Sequence, residues 1–117
     1  MQNILITVNA SPYGSERSLT ALRLTLALAS HPQPSRIRLF LLSDAVSMAL
    51  SQQSVSNAPS LGEMLAEAIA HGVKVHVCRT CADARGLDPS RLLPGVLIAT
   101  MPELAGWTLE ADKLLSF

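Results

Sequence analysis

The side chains with the clearest capacity for covalent chemistry are the two cysteines, which stand together as Cys78-Arg79-Thr80-Cys81. A thiolate is a nucleophile and a soft metal ligand. Two thiols at this spacing could carry sulfur, exchange with disulfides, or supply half of a zinc site. The pair lies where an apolar strand hands over to a helix start, and backbone N–H groups with the positive end of a helix dipole favour thiolate there. Arg85 follows Cys81 by four residues, on its helical face. Thr80 and Asp83 have capping-box spacing, with Asp in place of the longer Glu. The plainer reading is that Cys78 ends a core strand and is inert, since free cysteine is among the most buried residue types. Both readings stay open on the residues alone.

Other chemistries are less well served. A structural zinc site wants four ligands and one Cys-x-x-Cys gives two. His76 shares a strand face with Cys78, but His31 and His71 have no ligand spacing, so no metal is expected. A thioredoxin-type motif would follow the first strand and open a long helix, whereas this one follows the third strand. A flavodoxin-type phosphate loop would be rich in Ser, Thr and Gly. The Asn9–Ser15 loop carries Pro12 and Tyr13 instead, so no cofactor is expected. Ser11 and Ser15 lack a partner histidine for a triad. His76 could act as a base for Cys78, although a histidine in an alternating strand is more often interfacial. Asp44 reads as a helix cap, Tyr13 as a packing residue and Trp107 as the anchor of the last helix.

The elements that must position these residues follow from hydrophobic spacing. Ile4–Val8 is a run of apolar and β-branched residues, as expected of a strand buried on both faces of a parallel sheet. Ser15 is a candidate N-cap for a helix from Glu16 to about Ser30, with Leu19, Leu22, Leu26 and Ala29 on one face. Leu24 and Leu28 widen that stripe, which predicts cover on two sides, by the sheet and by another subunit. His31-Pro32-Gln33-Pro34 breaks the helix, and Ile37–Leu42 is the second strand. Asp44 is then expected to cap a helix from Ala45 to Ser51. Gln52–Ser60 lacks periodicity and reads as a mobile loop or lid. A helix with Leu61, Met64, Leu65 and Ile69 on one side ends at Gly72. Val73–Val77 alternates as a strand with one dry face, followed by the cysteine turn. Val96–Ala99 is a strand, Pro102 to about Glu110 a helix, and Lys113–Phe117 a last strand. Strands alternating with helices give a three-layer α/β/α fold with a parallel sheet, in a single domain over residues 1–117.

Composition excludes several classes. The formal charge is zero and charged residues are 15% of the 117, below the roughly 25% of average soluble domains. Nucleic acid needs a basic stripe that is missing here. No apolar run reaches the ~18–20 residues of a membrane span, and no signal peptide is expected. A cytoplasmic protein with reduced thiols is the expectation. At 49% hydrophobic residues and 3% aromatic, the chain has too little charge to cover a free-standing surface, which predicts self-association.

Four segments together resemble the DsrE-like family, and within it the small YchN-type branch: Asn9-Ala10-Ser11-Pro12-Tyr13-Gly14-Ser15-Glu16; Leu39-Phe40-Leu41-Leu42-Ser43-Asp44-Ala45; Cys78-Arg79-Thr80-Cys81-Ala82-Asp83-Ala84-Arg85-Gly86; and Trp107-Thr108-Leu109-Glu110-Ala111-Asp112-Lys113. The resemblance spans the whole chain. It implies a flavodoxin-like protomer with a five-stranded, mainly parallel sheet and assembly into homotrimers or homohexamers. Sulfur-relay relatives of the DsrE and TusD types carry sulfane sulfur as a persulfide on a cysteine. Eight residues later comes a glycine, preceded by a basic residue. Cys78, Arg85 and Gly86 match that spacing, so the resemblance assigns the carrier role to Cys78, with a donor or acceptor protein as partner. Cys81 departs from the relay pattern, because a second thiol could attack a Cys78 persulfide, release sulfide and leave a disulfide. Three readings therefore stand: a sulfur carrier or sulfurtransferase, a thiol–disulfide oxidoreductase, or a non-catalytic oligomeric module.

Overall fold

The computed structural model describes residues 1–56 and 58–117. Five strands, β1 (Gln2–Val8), β2 (Ser35–Leu41), β3 (Lys74–Cys78), β4 (Val96–Ala99) and β5 (Lys113–Ser116), form one sheet in the order β4-β3-β2-β1-β5. Every pairing is parallel. The helices are α1 (Arg17–Ala29), α2 (Leu61–Ala70), α3 (Arg79–Ala84) and α4 (Met101–Glu110), with short 3-10 helices at Ser43–Ala49 and Pro89–Arg91. The layers are those of a flavodoxin-like α/β protein, and the sheet is parallel throughout rather than mainly so.

Parallel crossovers are right-handed, so the direction of travel along the sheet decides which face each helix covers. From β1 through β4 the chain moves one way, and its helices fall on one face. There Ile4, Ile6, Leu39 and Val75 meet Leu22, Leu65 and Met48 in the main core. From β4 the chain returns past three strands to lay β5 beside β1, so α4 alone falls on the second face. The core on that side is small: Leu5, Phe40, Cys78 and Ala99, with Leu104, Trp107 and Ala111 packed against them. No residue of α4 is fully buried, and β5 is exposed along its length.

The expected stripe of the first helix holds at Leu22, which is buried, and at Leu26 and Ala29, which pack against the main core. It fails at Leu19, which is 37% exposed, and Ser18, Ala21 and Thr25 are buried beside Leu22 instead. Both hydroxyls are satisfied locally. Ser18 Oγ donates to the carbonyls of Ala10 and Ser11, and Thr25 Oγ1 donates to that of Ala21. Small side chains let this helix lie close to the sheet, and α2 packs beside it. Ser15 is not its N-cap either: Glu16 holds that position without a side-chain cap, while Ser15 Oγ accepts a long bond from Arg17 N–H at 3.4 Å.

Two further expectations change. The Ser43–Ala49 segment is 3-10, begins two residues before Ala45, and has Leu42 rather than Asp44 at its N-cap. The Gln52–Ser60 segment is held at its start, where Gln53 Nε2 donates to the carbonyls of Ser47 and Leu50. Within that expected lid, Asn57 lies outside the described residues. At its far end Ser60 and Glu63 form a reciprocal capping box that opens α2. The stop at Gly72 is found as expected, with φ +91°.

Phe40 is fully buried and meets Trp107 edge-on, with ring centroids 5.8 Å apart. Phe40→Ala should cost about 3–5 kcal/mol in urea unfolding, through lost burial and the cavity left behind. Leu109→Ala, at a side chain 88% exposed, should change stability by less than about 0.5 kcal/mol.

Candidate functional site

The carboxyl ends of parallel strands are where such sheets place their ligand-handling loops. Here the exits of β1, β2 and β3 converge. Alternation along β3 puts Val75 and Val77 into the main core and His76 and Cys78 on the second face. Cys78 is the last residue of β3, pairs in register with Ala99 and serves as N-cap residue of α3. It is 3% exposed. Cys81, one turn into α3, is half-buried and packs against both cores. Both thiols are free, and they stand close enough for Cys78 to influence the ionisation of Cys81.

The contact that orients Cys81 comes from the neighbouring strand exit. Leu42 N–H donates to the Val8 carbonyl, holding the end of β2 against β1. Ser43 then turns into the left-handed region at φ +53°, a conformation that costs a non-glycine residue about 1–2 kcal/mol. Its N–H donates to Cys81 Sγ at 3.2 Å. Next to it, Asp44 Oδ1 pairs with Arg85 Nη2 at 2.8 Å, and Arg85 Nη1 donates to the Cys81 carbonyl at 3.0 Å. The start of the 3-10 helix and all of α3 are thereby clamped together around one sulfur.

Several sequence expectations are revised by this geometry. Arg85 lies beside Cys81, but its guanidinium is engaged by Asp44 and a carbonyl. Asp44 is therefore an ion-pair partner, not a cap. Thr80 and Asp83 form no capping box, because α3 begins one residue before Thr80. Sequence reasoning gave Ser43 no role of its own, since nothing about a serine at a strand exit announces a left-handed backbone.

Burial pushes the Cys81 thiol above its ordinary range. The Ser43 N–H opposes that, Cys78 adds to it through hydrogen bonding and proximity, and Arg85 opposes it weakly. At neutral pH the Cys81 side chain is accordingly a thiol rather than a standing thiolate.

On the second face His76 stacks on Trp107 at 4.3 Å between ring centroids, and the Arg38 guanidinium lies 4.9 Å from the same ring. Arg38 is held by Glu110 at 2.7 Å. Burial pushes His76 below its usual value; Glu103 opposes this, and Lys74 and Arg38 reinforce it. Among the described residues its Nδ1 is buried without a partner, and no hydrogen bond links it to either sulfur. Trp107 does anchor the last helix. Tyr13, half-exposed, donates its hydroxyl to Gln53 Oε1 at 3.2 Å, joining the β1 exit to the segment after the 3-10 helix. Among the described residues no group of three or more His, Cys, Asp or Glu side chains is placed to hold a metal.

Alkylation of Cys81 should follow a pH profile with its midpoint above that of a free thiol. Cys78→Ala should lower that midpoint, because both upward influences of Cys78 are removed. A midpoint that rises or stays fixed in Cys78→Ala would contradict the coupling. Iodoacetamide kinetics read by peptide mass check it.

Comparison with known proteins places this architecture. A family model described as the DsrE/DsrF-like family matches residues 2–117. Protein YchN of Escherichia coli (strain K12) is 44% identical over 117 residues, covering all of both chains. An uncharacterized protein of Methanopyrus kandleri is 34% identical over 114 residues, which is 97% of this chain and 93% of that one. The crystal structure of the ychN protein from E. coli superposes with a TM-score of 0.95 over the full length of both chains at 44% identity. A protein of unknown function from Methanobacterium thermoautotrophicum shares the fold, with a TM-score of 0.81 at 17% identity over the full length of both. With a family match from Gln2 to Phe117 and a full-length relative at this identity, the chain belongs to the DsrE/DsrF-like family.

Proposed function

We propose that this protein carries sulfane sulfur as a persulfide on Cys78 and passes it to an acceptor protein. The observation that supports this is the pairing of two free thiols at the carboxyl end of β3, one of them held by a backbone N–H. Family membership supports sulfur handling in general, and the Cys78, Arg85 and Gly86 spacing supports Cys78 as the carrier. In the loading step a thiolate attacks the outer sulfur of a donor persulfide, the donor S–S bond breaks, and the donor thiol leaves. Cys81 acts as a resolving or modulating thiol. Its attack on the inner sulfur of a Cys78 persulfide would expel sulfide and leave a disulfide. A cytoplasmic setting, where thiols stay reduced, suits this chemistry.

Intact-mass analysis after exposure to a persulfidated donor tests the reading. A gain of one sulfur atom that persists through gel filtration, is handed to an acceptor, requires Cys78 and survives Cys81→Ser at its end point supports it. Stable loading and transfer in Cys78→Ser overturns it. Loss of two hydrogens that needs both cysteines points to a thiol–disulfide oxidoreductase instead, and an unchanged mass to a non-catalytic binding module.

Self-association into homotrimers or homohexamers belongs to the same reading. It is supported by the thin cover of the second sheet face, where Leu97 is 60% exposed and Leu114 is also open. Light scattering should give three or six chains per particle, and Leu97→Glu should lower that number. A monomer at micromolar concentration contradicts it.

A further inference from the structure

We propose that Cys81 is the thiol through which sulfur enters and leaves, and that Cys78 is the store behind it. This deepens the persulfide reading and rests on it. Cys78 is 3% exposed within the small core against which Leu104 and Trp107 pack, where a donor sulfur has almost no path of attack. Cys81 stands half-open one helical turn after Cys78, the N-cap of α3. It also receives the Ser43 N–H at 3.2 Å, whereas among the described residues no N–H reaches Cys78 Sγ. That donor strengthens as negative charge gathers on sulfur, so it assists Cys81 both as attacking thiolate and as departing thiolate. Ser43 is held in a strained backbone conformation by its surroundings, and such strain clusters where a group must be kept in place for chemistry.

Two balanced exchanges make up the route. Cys81, a thiol at rest, gives up its proton as it attacks the outer sulfur of a donor persulfide; a new S–S bond forms on Cys81, the donor S–S bond breaks, and the donor sulfur takes up that proton and leaves as a thiol. Cys78 then attacks the same outer sulfur. Its S–S bond forms as that of Cys81 breaks, and the Cys78 proton passes to Cys81. The transferred sulfur keeps its oxidation state, so no oxidant or reductant is consumed. Delivery is the reverse sequence, with an acceptor thiolate attacking at Cys81.

The sequence itself supplies the readout. Cleavage after Lys74, Arg79 and Arg85 puts Cys78 in one tryptic peptide and Cys81 in the next. The reduced protein is mixed with glutathione persulfide, acid-quenched at intervals, alkylated and digested. The extra sulfur should appear on the Cys81 peptide first and then move to the Cys78 peptide. In Cys81→Ser, where the hydroxyl still offers an acceptor to Ser43, loading of Cys78 should slow at least tenfold and reach the same end point. Appearance on Cys78 first, or a wild-type rate in Cys81→Ser, overturns the proposal. So does a Cys78–Cys81 disulfide with released sulfide forming before Cys78 is loaded. Sulfur on neither cysteine of the wild-type protein is the separate outcome that removes the persulfide reading itself. The wild-type time course decides the order even if a variant folds poorly.

Discussion

Parallel strands must be joined by right-handed crossovers, and in this chain that constraint fixes the placement of nearly everything else. Three successive crossovers in one direction stack α1, α2 and the short helices on a single face. The one crossover that turns back puts α4 on the other. The asymmetry decides where the cysteines sit. Cys78 faces the thinly covered side, in the small core against which Leu104 and Trp107 of α4 pack. Cys81 lies at the junction between the two cores. A protein with helices evenly shared between its faces would bury both sulfurs alike, and the difference in access that separates their chemistry would vanish.

The second organising feature is the convergence of three strand exits. Tyr13 and Gln53 link the loop after β1 to the chain beyond the 3-10 helix, and Ser43 and Asp44 reach from β2 to α3. Short range matters more than charge here. The charges of Asp44 and Arg85 are spent largely on each other, at a partly exposed pair whose own contribution to stability is small. What the pair does is fix the angle of α3, a helix of six residues that could not hold itself in place alone. The sulfur of Cys81 is thus held by backbone geometry, and its ionisation is governed by burial rather than by a cationic neighbour.

Much of this was legible in the residues. Ile4–Val8 is apolar at alternate and intervening positions, which marks a strand covered on both faces, and the strand–helix alternation then makes the sheet parallel. The position of Cys78 at a strand end followed from Val73–Val77. The polar part of the buried face of α1 was not legible, because Ser18 and Thr25 look like surface residues until their hydroxyls are seen to bond to nearby carbonyls. The strand order was also hidden, since nothing local says that β5 returns to β1. Ser43 lay furthest out of reach: its conformation is imposed by Leu42 on one side and Cys81 on the other, both tertiary contacts.

The pairing of β1 with β5 bears on how the chain is made. Asn3 N–H bonds to Asp112, Thr7 to Ser116, and Asn9 N–H to the Phe117 carbonyl, across separations of more than a hundred residues. On a ribosome, β1 through β4 and the helices of the first face can assemble while residues 101–117 are still being added. Until then one edge of β1 has no neighbour, and the second face lies bare. During that interval the sulfur of Cys78 is open to solvent and to any small oxidant. Residues 101–117, translated after β1 through β4, are the stretch that closes over it.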